Sequence, residues 1–406
     1  MRVAIVSTYR PRACGIAMFS SDLRGALLEA DSSVSVEVVS IVRGARRTHP
    51  PEVVATIRQH VASDYAQAAA ELDRRDVDVV LIEHEYGIFG GDSGDFVLDL
   101  ANELTVPFVV TLHTVLASPA IEQAAALRAL CERAALVMVF TETARRMVIE
   151  QGLADADQVR VVPHGAPDVL SAAAWSNRPG LLPRAANGLA RLSLPLGMTC
   201  LDGRIVLSTF GLISASKGLE LAIRALPSIV AAHPEVVYLI AGQTHPDVIQ
   251  HDGESYRLGL ERLVADLELT NHVIFLDRFL STEELAALLA RTNLYITPYR
   301  SRDQIVSGAL TFAVAAGCPV VSTPYLYAED LLSSGAGVLV PFGDSSKLAA
   351  AVRELLGSPR KMAAARVGAR RVGAELTWAS VGKATLEVLS EAARQVRRPV
   401  AGVRSR

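Results

Sequence analysis

The sequence is poor in cysteine: four residues, Cys14, Cys131, Cys200 and Cys318, are scattered over 406 positions. No pair has the spacing of a metal clip or a redox motif, which removes those classes and leaves reduced thiols in a cytoplasmic protein as the expectation. No run reaches the roughly 18 apolar residues that a membrane-spanning helix needs. The opening MRVAIVSTYRPR is too short in its apolar part for a secretory leader, and Arg10 and Arg12 follow at once. Any membrane contact is therefore expected to be peripheral. Neither sign of charge dominates: 40 Lys and Arg stand against 43 Asp and Glu, a net charge of −3, so the basic bias of a nucleic-acid binder is absent. Local basic stretches exist at 394–406 and at Arg43, Arg46 and Arg47. Each reads as a solvated segment or as a contact for an anionic surface.

What the sequence has in quantity is apolar runs in alternation with Ala- and Leu-rich helical stretches. At 406 residues the chain is too long for one ordinary core. Strands are expected at 2–7, 35–42, 78–83, 107–112, 135–140 and 159–163, each continuously apolar, as parallel strands buried on both faces are. Helices at 16–30 and 64–75 lie among them. The rhythm stops from Asp168 to Asp202, where Pro, Asn and Gly accumulate. It restarts at 204–210, 236–242, 273–276, 293–298, 319–322 and 337–340. This is an α/β chain with two doubly wound, Rossmann-like domains in tandem. The expected divisions are 1–167, a linker or mobile loop at 168–202, a second domain at 203–385 and a basic tail at 386–406. In such sheets ligands collect at the carboxyl ends of the strands.

Several residue patterns stand at those ends. Gly15, in RACGIAMF, precedes a helix and lets backbone N–H groups approach a phosphate or sugar, or is an ordinary turn glycine. TLHTVL puts His113 at a strand end, where a neutral imidazole can bond a hydroxyl or move a proton, or serve structure alone. IEHEYGIFGG gathers Glu83, His84 and Glu85; with Ile88 where a second histidine would stand, it is no zinc motif. FGLISASKG carries Gly211 and then Lys217, a cation at a helix start. That is unfavourable against the helix dipole unless an anion is shared there. YITPYRSRDQIVSG supplies Arg300, Arg302, Ser307 and Gly308, with guanidinium groups suited to phosphate.

Taken in order, these stretches resemble the retaining GT-B glycosyltransferases, the superfamily of glycogen synthases and bacterial mannosyltransferases. FGLISASKG resembles the donor-phosphate loop, VVYLIAGQTHP (with Gly242) the strand-plus-glycine segment, and GALTFAVAAGCPVVSTP the helix-and-strand stretch written G-x3-L-E-A-M-A-x-G-x-P-V-V. CGIAMFSSDL resembles the acceptor-side loop, TLHT the strand-end histidine, and VRVVPHGA a further signature. The resemblance implies two Rossmann-like domains facing each other across a cleft, the first binding an acceptor through Gly15, Glu83, His84 and Glu85. The second would bind a nucleotide-sugar of the GDP-mannose or UDP-glucose type through Gly211, Lys217, Gly242, Arg300, Arg302, Gln304, Ser307 and Gly308. It implies catalysis by His113 and Lys217, no metal or other cofactor, and a sugar, glycan or lipid-linked acceptor.

The sequence departs from the family at three positions. Gln304 and Phe312 stand where the family carries two glutamates, linked to the donor sugar and to the ribose, and Leu212 stands where it carries an arginine. Between Asp303 and Glu329 there is no acidic residue at all. Two other readings remain open on the sequence: a phosphorylase of the same fold using inorganic phosphate, and a non-catalytic sugar- or nucleotide-binding subunit.

Overall fold

The structure, a computed structural model, describes residues 1–12, 14–44, 49–171 and 201–395. The chain divides into two compact units, Met1–Gly165 together with Trp378–Arg406, and Ala166–Thr377.

In the first unit the described strands are β1 (Arg2–Ser7), β2 (Ser35–Val42), β3 (Val53–Arg58), β4 (Val79–His84), β5 (Phe108–Leu112), β6 (Leu136–Val139) and β7 (Val159–Val161). They form one parallel sheet in the order β3-β2-β1-β4-β5-β6-β7. Its middle explains the apolar runs: Val3 pairs with Val36 on one side and Val79 on the other, and all of these are buried. The sequence reading omitted β3. That strand lies at the sheet edge, and only Ile57 of its six residues is fully buried, so it lacks the continuous apolar run of its neighbours.

The second unit contains β8 (Ile205–Phe210), β9 (Val236–Ala241), β10 (Val273–Leu276), β11 (Leu294–Thr297), β12 (Val320–Ser322) and β13 (Gly337–Leu339), parallel in the order β10-β9-β8-β11-β12-β13. Helix Leu219–Ala232 and helix Ser345–Leu356 pack together over this sheet, with Ile223, Leu226 and Val352 fully buried among the strand residues. In both sheets the strand order reverses direction beside the first strand, between β1 and β4 and between β8 and β11. In a doubly wound sheet such a switch point, at the carboxyl ends of the strands, is the place where a ligand binds.

The domain boundary at 385 needs correction. Helix Trp378–Arg394 belongs to the first unit, where it packs on helix Gly15–Ala30 and reaches β4 and β5. Its buried face is Trp378, Val381, Thr385, Val388, Leu389 and Ala392. Residues 386–394, assigned above to a basic tail, are the second half of that helix. The chain enters and leaves the second unit side by side, with Ala166 N–H donating to the Leu376 carbonyl at 2.7 Å. Most of the expected linker, 172–200, lies outside the described residues, as do Arg46, Arg47, Cys200 and 396–406. Cys14, Cys131 and Cys318 are free thiols. Among the described residues no helix is long and apolar enough to cross a membrane.

Candidate functional site

In the first unit the residues expected at the site converge on His113. This residue follows β5, and its N–H donates to the His84 carbonyl at 3.0 Å, which sets its height at the strand end. Its Nε2 lies 2.8 Å from Glu83 Oε2. Both side chains are buried, Glu83 completely, and the other glutamate oxygen, Oε1, has no hydrogen-bond partner. A buried carboxylate held this way fixes the imidazole ring and its tautomer. Phe19, from the helix that Gly15 opens, meets His113 edge-on at 4.9 Å between centroids, and Phe140 does so at 5.1 Å. Helix Gly15–Ala30 begins without a side-chain cap and without an acid in its first turn. A Cβ at Gly15 would meet nothing within 4 Å, so the space over this backbone is open.

His84 and Glu85 are placed differently from Glu83. His84 is buried, stacked on Phe89 at 5.7 Å with Tyr86 against its edge, and its Nδ1 is unpartnered. It is a core histidine with no face for an acceptor. Glu85 is used locally, accepting from the Tyr86 N–H at 2.9 Å and from the Thr114 hydroxyl at 2.5 Å. Sequence reasoning missed Phe19, Phe140 and His164, the rings that pack around His113 and each other; all three were visible only as members of apolar or loop stretches.

Burial sets a pH dependence here. Desolvation, with the nearby His113, holds His84 at about 3. Desolvation likewise takes His164 down to about 4, although its hydrogen bond to the Gly165 carbonyl works the other way. Both pKa values lie below the unfolded value, so their contribution is present above about pH 6.5 and is lost as the pH falls toward 4 and 3. Asp22 has the opposite sign: burial raises it to about 6, against the opposing pull of Trp378 and Arg10. Between pH 6 and 4 each histidine makes stability fall as the unfolded chain takes up its proton first, and Asp22 opposes one of the two. Stability is expected to fall on acidification through this window, and Asp22→Asn is expected to steepen the fall. Urea titrations at pH 4.5, 5.5 and 6.5 check both; a flat wild-type profile would refute the assignment.

In the second unit the loops after β8, β9 and β11 meet. Gly242 has φ +148, and a Cβ there would lie 1.9 Å from the Gly211 carbonyl oxygen, so the two loops touch backbone to backbone. Gly218 has φ +63, and its Cβ would strike the Pro298 carbonyl oxygen at 2.2 Å. That contact holds Lys217, the last residue of a 3-10 turn, against the end of β11. Lys217 Nζ donates to the Tyr299 hydroxyl at 2.8 Å and lies 4.0 Å from the ring centroid. Burial alone would raise the Tyr299 phenol, but the charge and hydrogen bond of Lys217 bring it below its ordinary value. The Tyr299 hydroxyl lies 3.3 Å from Ser307 Oγ. Ser307 is the N-cap of helix Gly308–Ala315, and its oxygen accepts from the Leu310 N–H at 3.3 Å. No acid occupies the first turn. A cation and a helix amino terminus are thus joined through one tyrosine, an arrangement made to receive an anion.

The remaining expected residues surround this centre unequally. The Arg300 N–H bonds the Ser216 carbonyl at 3.0 Å, tying the two loops, while its exposed guanidinium lies 3.6 Å from Glu220. Arg302 is drawn toward Glu329, 3.5 Å away. Gln304 is exposed and donates from its amide to the Val306 carbonyl at 2.7 Å. Sequence reasoning missed Tyr299; its signal was an aromatic residue at a strand end beside Arg300. It also missed Arg257, buried under the β9 and β10 ends, where Nη2 donates to the Gly242 carbonyl at 2.6 Å and pairs with Asp277 at 2.9 Å. Among the described residues no group of His, Cys, Asp and Glu side chains is gathered to hold a metal ion.

Comparison with known proteins divides the chain in the same place. The family model "Glycosyl transferase 4-like domain" matches residues 3–165 and "Glycosyl transferases group 1" matches residues 204–358. The chain is similar to a GDP-mannose-dependent monoacylated alpha-(1-6)-phosphatidylinositol monomannoside mannosyltransferase of Corynebacterium glutamicum, 28% identical over 43% of this chain and 44% of that protein. It is also similar to a glycogen synthase of Mycobacterium tuberculosis, 31% identical over 47% of this chain and 43% of that one. The chain thus spans less than half the length of these curated relatives. A sucrose-phosphate synthase from Thermosynechococcus elongatus shares the whole fold, with a TM-score of 0.72 at 19% identity, over 96% of this chain and 98% of that chain.

Proposed function

Because the chain belongs to the glycosyltransferases of GT-B fold, we propose that it is a retaining, metal-independent hexosyltransferase. It moves a hexose from a nucleotide-sugar of the GDP-mannose or UDP-glucose type to a sugar, glycan or lipid-linked acceptor. The observation that carries this reading is the Lys217–Tyr299–Ser307 chain at the amino terminus of helix Gly308–Ala315.

A leaving nucleoside diphosphate gains negative charge as the bond between sugar C1 and phosphate oxygen breaks. Lys217, held in place by Tyr299, and the amino-terminal end of helix Gly308–Ala315 stabilise that charge without reorganising. The exposed guanidinium of Arg300 adds to the field. The acceptor hydroxyl bonds to C1 on the face the diphosphate leaves, and its proton passes to a phosphate oxygen, so no protein nucleophile is required. Catalysis is then positioning and charge stabilisation. The groups the first unit offers to a sugar are His113, oriented by Glu83, and the open backbone at Gly15. His84 is not part of this proposal, because its side chain is enclosed.

The test is release of nucleoside diphosphate from GDP-mannose and from UDP-glucose, with and without EDTA, over sugar and lipid-linked acceptors. The name of the mannosyltransferase relative makes GDP-mannose with a phosphatidylinositol mannoside the first pair to try. Transfer that survives EDTA, with an axial-to-axial outcome by proton NMR for a mannosyl donor, is the expected result. Formation of a sugar 1-phosphate from a glycoside and inorganic phosphate, with no nucleotide present, would replace this reading with a phosphorylase.

A further inference from the structure

We propose that the nucleoside half of the donor rests on the rings of Phe210 and Phe312, and that the hydroxyls of its ribose are not read. This inference rests on the nucleotide-sugar reading above and extends it to which nucleosides the site accepts.

Phe210 is the last residue of β8, and Phe312 lies one turn into helix Gly308–Ala315. Their ring centroids are 6.5 Å apart with planes inclined by only 23°, and Phe210 also leans on the buried Tyr295 at 5.5 Å. Both phenylalanines are only half-buried. They therefore present apolar surface at the switch point, one helical turn from the place where the diphosphate sits. A ribose is joined directly to that diphosphate, so the nucleoside must pass close by. Aromatic rings hold a nucleoside by its faces, and such stacking is indifferent to hydroxyl groups.

The usual reader of a ribose hydroxyl in a doubly wound nucleotide site is a carboxylate. Here the helix carries none, and three acids of the neighbouring elements, Glu220, Asp277 and Glu329, are engaged. Glu220 accepts from the Tyr256 hydroxyl at 2.5 Å and lies 3.6 Å from Arg300. Asp277 is paired with Arg257 at 2.9 Å, and Glu329 faces Arg302 at 3.5 Å. Asp303 is exposed on the loop ahead of the helix. The chemical consequence is that 2′-deoxynucleoside diphosphates, and the sugars they carry, are ligands of the same rank as their ribose counterparts.

The experiment is calorimetric titration of the full chain with UDP against dUDP and with GDP against dGDP. Whichever base is preferred, the two members of that pair are expected to bind within threefold of each other. Phe312→Leu is expected to weaken both members equally, by about 5- to 100-fold, the loss that goes with one aromatic stacking partner. A preference of tenfold or more for the ribose member would show that a polar group reads the hydroxyl; it would overturn this inference and leave the transferase reading standing. Unchanged affinity in a folded Phe312→Leu protein would overturn the stacking role. Failure of all four nucleotides to bind would sink the inference together with the reading beneath it.

Discussion

Lys217→Ala is expected to lower turnover by about 100- to 1,000-fold, the range seen when one preorganised donor to a developing charge is removed. Binding of the nucleoside diphosphate should weaken by about 10- to 100-fold, since a charge-assisted hydrogen bond contributes about 1.5–3 kcal/mol. The fold should survive, because Lys217 is not a core residue: it is half-buried and its ammonium lies on Tyr299. A second readout follows from that contact. With the cation gone, burial is opposed only by the hydrogen bonds of Ser307 and Thr297, so the Tyr299 phenol should titrate higher than in the parent protein. Donor-release kinetics, calorimetry and ultraviolet titration measure the three effects. A folded Lys217→Ala protein that turns over within threefold of wild type would remove Lys217 from the mechanism.

Ending the chain at Thr377 is expected to abolish cooperative unfolding of the first unit, although every strand of both sheets is retained. The cut removes Trp378, Val381, Val388 and Leu389, which are buried against the first unit. At about 1.5–3 kcal/mol for each large apolar side chain, the loss is of order 6–12 kcal/mol, comparable to the whole stability of an ordinary domain. The cut also uncovers Phe19, whose ring lies 5.3 Å from Trp378 and 4.9 Å from His113, so the histidine would lose its packing at the same time. Trp378→Ala tests the same contact more gently, with an expected cost of about 3–5 kcal/mol. Thermal unfolding followed by circular dichroism decides. A truncated protein with the wild-type midpoint would return this helix to the second unit or to a tail.

The sequence alone determined the class of fold and the order of its parts. Parallel strands buried on both faces must be continuously apolar, so the runs from 2–7 to 337–340 announced themselves and the interruption after Asp168 separated two sheets. Short-range chemistry was partly visible, as the cation Lys217 at a helix start; the structure added that Gly218 takes the left-handed turn and that Ser307 caps the helix it precedes. Tertiary structure alone decided which neighbours each side chain meets. Glu83 and His84 are adjacent in sequence, yet one orients His113 from below the strand end while the other stacks on Phe89 in the core. The amphipathic pattern of Trp378–Arg394 shows that a face is buried but not against what, and the partner proved to be a helix more than 340 residues earlier, Gly15–Ala30. Lys217 finds Tyr299 across 82 positions, and Phe312 finds Phe210 across the sheet's switch point. Periodicity is a property of one element and can be read along it; a contact is a property of two, and it exists only once the chain has folded them together.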